Sequence, residues 1–129
     1  MANSDRTPLI CVVDDDHSVR RALARLMQSL GLDVETYASG PEFLGAEHTR
    51  QIACLILDVH LGKMSGFELR RQMVTSGIAP PVIFITAHDT ESTREQTRSL
   101  SAAGYLRKPF EEDSLLDALG RAIGRPLGT

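Results

Sequence analysis

From Ala53 to Asp58 the chain reads Ala-Cys-Leu-Ile-Leu-Asp, a continuous apolar run cut off by a carboxylate. A run this short is no helix of its own; it reads as a fully buried strand of a parallel sheet. Ligands of open α/β sheets gather outside the carboxyl ends of the strands, so Asp58 falls where chemistry is done. Taken alone, a strand-end Asp capping a turn explains the residue equally well. The rest of the chain decides between the two.

Four further segments follow the same grammar. Pro8–Val13 is a second buried strand, ending in Asp14-Asp15-Asp16. Three adjacent acids repel one another, and a cation or a lysine is the simplest neutraliser; a solvated loop with Asp16 as a helix N-cap is the plainer alternative. Residues 18–30 carry Val19, Ala22, Leu23, Leu26, Met27 and Leu30 on one face and end at Gly31, which predicts an amphipathic helix with a core-facing stripe. Residues 33–38 alternate as an edge strand does, and Ser39–Glu42 has capping-box spacing before Phe43 and Leu44. A second capping box, Ser65–Glu68, opens a helix that runs to Gly77. Pro80–Ile85 predicts the fourth strand, delivering Thr86-Ala87-His88. Tyr105–Arg107 predicts the fifth, delivering Lys108-Pro109-Phe110 ahead of a last helix over 111–124. Residues 90–100 are helical in propensity but polar, with few apolar anchors, so the packing of that helix is expected to be weak. Five strands alternating with helices mean βαβ units and a doubly wound, five-stranded parallel sheet.

Length and composition narrow the class. At 129 residues the chain makes one domain with a real core. We read 1–7 as a disordered tail, 8–124 as the domain, and 125–129 as a tail or a severed linker. A net charge of −3 and a pI near 5.8 argue against a nucleic-acid surface. With no long apolar span and no leader pattern, a cytoplasmic protein without a membrane segment is expected. Cys11 and Cys54 sit inside strands and are expected to be reduced core thiols. His17 and His48 read as surface residues.

The fold expectation gathers Asp14, Asp15, Asp58, Thr86 and Lys108 on one rim. Carboxylates together make a hard-oxygen site suited to Mg²⁺. Asp58 is then a nucleophile for phosphorus, while the Thr86 hydroxyl and the Lys108 charge can hold phosphoryl oxygens. Without phosphate, Lys108 simply offsets the acids. Metal-dependent aspartyl phosphorylation is the chemistry these residues point to.

These pieces resemble, from Leu9 to about Ile123, the receiver domain of two-component response regulators. The matching fragments are Val12-Val13-Asp14-Asp15-Asp16, Leu57-Asp58 with Met64-Ser65-Gly66, Ile85-Thr86-Ala87 and Lys108-Pro109-Phe110. The resemblance implies a flavodoxin-like (βα)5 fold with strand order 2-1-3-4-5. It implies that Asp58 accepts a phosphoryl group from a sensor histidine kinase or a histidine phosphotransfer protein. Mg²⁺ (or Mn²⁺) would be held by Asp15, Asp58 and the backbone carbonyl of His60, with Asp14 acting through water. It also implies a switch pair, Thr86 and Tyr105, a cis Lys108–Pro109 peptide, and flanking positions, His60 and His88, that tune phosphoryl lifetime. Tyr105 as an ordinary half-buried strand aromatic is the plainer reading.

Two departures from the family stand out. Most receivers have proline four residues after the acceptor, where this chain has Gly62, which bears on metal affinity or kinase fit. The usual Ala-Gly-Ala before the fifth strand is Leu100-Ser101-Ala102, after an unusually polar helix that we expect to be short, displaced or mobile. That puts the usual output or dimer face, built on the fourth and fifth helices, in doubt. Three arrangements fit: a stand-alone receiver, the N-terminal receiver of a DNA-binding regulator whose output domain lies outside this chain, or a receiver cut from a hybrid kinase. The wording is closest to receivers that precede LuxR-type helix-turn-helix outputs, and a phosphorylation-dependent homodimer is a further partner the resemblance allows. The alternatives are a receiver-like module that is never phosphorylated, and an aspartyl-phosphate phosphohydrolase. The hydrolase is disfavoured because His60 stands where a second acid would be needed.

Overall fold

The computed structural model describes residues 7–127. Five parallel strands, β1 (Leu9–Val13), β2 (Asp33–Tyr37), β3 (Ile52–Asp58), β4 (Val82–Thr86) and β5 (Gly104–Arg107), form one sheet in the order β2-β1-β3-β4-β5. Helices α1 (His17–Ser29), α2 (Gly40–Gly45), α3 (Gly66–Thr75), α4 (Glu91–Ser99) and α5 (Glu112–Ile123) fill the crossovers. This is the architecture expected from the sequence.

Side chains alternate across a strand, so the apolar runs feed two cores. Cys11, Val13, Leu55, Leu57 and Phe84 pack with Phe43 of α2 and Leu69 and Met73 of α3. Ile10, Val12, Ile56, Ile83 and Ile85 pack with Leu23 and Met27 of α1 and Leu115 and Leu119 of α5. The central strands therefore have no polar face to show, which is why they read as continuous hydrophobic runs. Cys11 and Cys54 are buried free thiols, one in each core, and burial pushes each up to about 12, keeping both protonated.

Local chemistry starts and stops the helices as their sequences predict. Asp16 caps α1, accepting from the Ser18 N–H at 2.8 Å, and Gly31 leaves it at φ +76°. Ser65 and Glu68 form a reciprocal capping box on α3. At α2 the box is incomplete: Ser39 accepts from the Glu42 N–H, but the Glu42 carboxylate reaches the Ala38 N–H instead.

Several expectations need correcting. His48 is half-buried, stacked 4.3 Å from Phe43, with Nε2 2.7 Å from the Phe43 carbonyl. Thr7 is tied down by Arg50, which donates to its carbonyl while pairing with Asp33; the rest of the expected N-terminal tail lies outside the described residues. After α5 the Arg125 N–H bonds to the Gly120 carbonyl and Leu127 packs on the α1–α5 core. Residues 128–129 lie outside the described residues.

α4 is short, nine residues, as expected, yet its inner face is built from Thr93 and Thr97 in place of apolar side chains. It ends in Leu100 and then Ser101, which adopts φ +52°. A non-glycine residue pays a penalty in that left-handed region that glycine does not. Ser101→Gly should therefore stabilise the domain by about 0.5–1 kcal/mol, read from the urea unfolding midpoint.

Candidate functional site

The strand register builds the site. Val13 pairs with Leu57, so Asp14 emerges from β1 beside Asp58 at the end of β3. β1 and β3 flank the point where the connections reverse direction, the crevice in which doubly wound sheets bind ligands. Thr86 ends β4 opposite Arg107, which brings Lys108 to the same rim. The Lys108 N–H donates to the Thr86 carbonyl at 2.7 Å, and the Lys108–Pro109 peptide is cis.

Asp14 is fully buried and Asp58 is 4% exposed, while Asp15 faces solvent. One carboxylate oxygen from each lies within 4.8 Å of the others. The Lys108 ammonium bridges the two buried acids, 2.8 Å from Asp14 and 3.3 Å from Asp58. Asp14 is further fixed by the Asp16 N–H on its carboxylate, and its carbonyl accepts from Arg20 at 2.7 Å. Three carboxylates against one ammonium leave an excess of negative charge among oxygen donors only. That donor set fits a hard divalent cation such as Mg²⁺ and offers nothing to a soft one.

Burial, reinforced by the Asp14 charge, pushes the Asp58 carboxyl above its ordinary range, although the His60 N–H (3.1 Å) and Lys108 favour the anion. Burial pulls Lys108 down, but its hydrogen bond to Asp14 and the charges of both acids outweigh it, and the ammonium is held above its usual value.

Thr86 is buried, and its hydroxyl oxygen accepts from the His88 N–H at 3.0 Å, which leaves the hydroxyl proton to donate elsewhere. The exposed rings of His60 and His88 meet edge to face, 5.1 Å apart. Tyr105 is half-buried, and its hydroxyl engages Asp89 and Thr93, each at 2.8 Å. That hydrogen bond, with help from Arg94, holds the Asp89 carboxyl below its usual range despite desolvation. Both partners escaped the sequence analysis: Asp89 belongs to no motif, and Thr93 is marked only by its cap spacing from Thr90.

The loop from Asp58 to Gly66 is shaped by its glycines. Gly62 sits at φ +82°, so it is a turn residue that glycine suits. At Gly66 a Cβ would strike the Asp58 carbonyl, so α3 can start this close to the site only on glycine.

A doubly wound sheet with two buried acids and a lysine at its switch point narrows the class of protein, and known proteins of similar sequence and fold give the family. A family model described as response regulator receiver domain matches residues 10–120. The response regulator protein TodT of Pseudomonas putida is 38% identical over 93% of this chain and 53% of its own length. The transcriptional regulatory protein FixJ of Azorhizobium caulinodans is 34% identical over 88% of this chain and 54% of its own. The crystal structure of a response regulator receiver protein from Burkholderia phymatum superposes with a TM-score of 0.82 at 40% identity, covering 95% of this chain and all of that one. The chain belongs to the response regulator receiver domain family and spans about half the length of the curated relatives it matches. Among the described residues no helix is long and apolar enough to cross a membrane.

Two outcomes are expected. A group whose folded pKa is raised contributes stability below its unfolded pKa and loses it as pH rises through the folded value. Asp58→Asn should therefore unfold at higher urea than wild type at pH 7 without divalent ions, with the gap closing towards pH 4. Gly62→Pro, although it restores the family's residue, forces φ near −65° where the chain needs +82°, and should cost more than about 1 kcal/mol by thermal unfolding.

Proposed function

We propose that this domain is a phospho-accepting switch in which Asp58 takes a phosphoryl group from a sensor histidine kinase or a histidine phosphotransfer protein. The observation that carries the reading is the bridge of one lysine across two buried carboxylates, one of them at the exact strand end where a nucleophile is wanted.

Asp14, Asp15, Asp58 and the His60 backbone carbonyl would hold Mg²⁺ or Mn²⁺, with Asp14 acting through water. When bound, the ion supplies positive charge to the carboxylates and to incoming phosphoryl oxygens. The remaining steps belong to the chain. A carboxylate oxygen of Asp58 attacks phosphorus as the bond to the donor's imidazole nitrogen breaks, and that nitrogen keeps the electron pair. Lys108 moves its charge from the Asp58 carboxylate to a phosphoryl oxygen, and the Thr86 hydroxyl donates to another. His60 and His88, two residues past Asp58 and Thr86, stand where they bear on water's access and hence on phosphoryl lifetime.

Phosphorylation then shifts an equilibrium between two conformations of the face formed by α4, β5 and α5, with Thr86 and Tyr105 as coupled elements. The domain, residues 8–124 at least, would act in the cytoplasm and pass its signal to an output module of the DNA-binding kind or to a second copy of itself.

Intact mass after incubation with acetyl phosphate and Mg²⁺ tests the acceptor. Wild type should gain one phosphoryl group; Asp58→Asn, or chelation of the metal, should abolish the gain. Lys108→Ala should slow it at least tenfold. An unmodified wild-type mass would move the reading to a module that is never phosphorylated.

A further inference from the structure

Tyr105 is doing more than filling the edge of the sheet. Its hydroxyl has one proton, and the acceptor beside it, the Asp89 carboxylate at 2.8 Å, is charged, so the proton goes there. The tyrosine oxygen is left as an acceptor for the Thr93 hydroxyl, also at 2.8 Å, which shares its one proton between Tyr105 and the Thr90 carbonyl, likewise at 2.8 Å. Arg94 closes the chain by donating to the same Asp89 oxygen at 2.9 Å. One tyrosine of β5 thus grips both the loop before α4 and the helix's first turn.

That grip matters because α4 has little else on its inner face. Its buried residues are two threonines; Thr97 spends its hydroxyl on the helix's own Thr93 carbonyl, and Thr93 is the one that reaches across to β5. Apolar anchoring begins past the helix end, at Leu100 and Ala102. The loop holding Asp89 starts at Thr86, whose hydroxyl oxygen takes the His88 N–H. A rotation of the Thr86 hydroxyl towards a phosphoryl group would give up that bond one residue from the acid gripping Tyr105.

We infer that Asp89 and Thr93 are positioning residues that latch the Tyr105 hydroxyl to the start of α4, and that release of this latch frees α4 from β5. The inference rests on Tyr105 being the switch tyrosine of the proposed function. It adds what holds the resting state and names the element set loose. The latch biases an equilibrium that phosphorylation of Asp58 biases the other way.

The test is amide hydrogen exchange over residues 90–100 in the unphosphorylated protein. Tyr105→Phe keeps the ring and touches no helix cap, so it isolates the hydroxyl. It should speed exchange in α4 about tenfold, the scale of a lost hydrogen bond to a charged group, with β1 and β3 unchanged. Asp89→Ala should do the same, Asp89→Asn, which keeps an acceptor, should fall between, and the Tyr105→Phe/Asp89→Ala pair should add little to either single change. Unchanged α4 exchange in both single variants, or fully additive effects, would overturn the latch. In parallel, Asp89→Ala should take phosphoryl from acetyl phosphate several-fold faster than wild type, because less of the population is held resting. Equal rates despite faster exchange would overturn the coupling to the switch. If wild type takes no phosphoryl group at all, the acceptor reading fails while the exchange comparison still judges the latch.

Discussion

The rim of this sheet depends on a single electrostatic arrangement, in which the Lys108 ammonium compensates two carboxylates that water barely reaches. Asp14 is fully buried, and a charge there without a partner would cost several kcal/mol, on the order of what holds a small domain together. Lys108 lies 94 residues further along the chain than Asp14, so the bond ties β1 to the edge strand β5 across β3 and β4. Even so the compensation is incomplete, and the raised Asp58 carboxyl is the sign of it. The fold holds a site that is stable enough to persist and short of positive charge, the condition under which a cation and a phosphoryl group are both welcome.

Much of this was legible in the sequence, for reasons that can be named. Central strands buried on both faces cannot alternate, so the runs ending at Val13, Asp58 and Thr86 declared themselves. Gly31 and the Ser65–Glu68 box marked helix ends by the backbone groups they satisfy. Parallel strands put Asp14, Asp58 and Lys108 on one rim, and the strand order implied by the family resemblance put them side by side.

What escaped the sequence was decided by tertiary contact or by backbone dihedrals. His48 looks like any loop histidine until Phe43 and Tyr37 are folded around it. The grip of Asp89 and Thr93 on Tyr105 depends on the path of a loop that no periodicity describes. Gly62 and Ser101 both adopt positive φ, but only the glycine hints at it. The polar character of α4 was plain from its residues. How a helix with a threonine inner face is fastened became visible only in the hydrogen bonds.

The division of the hydrophobic interior into two cores has a consequence for how the molecule varies. The sheet is a partition wall: side chains facing α1 and α5 share almost no packing with those facing α2 and α3. Substitutions on the α1–α5 side are free to adjust overall robustness while the compartment behind Asp58, Phe67 and Phe84 keeps its shape. A change of volume in one compartment can therefore be met by repacking within that compartment, with the strands of the sheet as the route to the other.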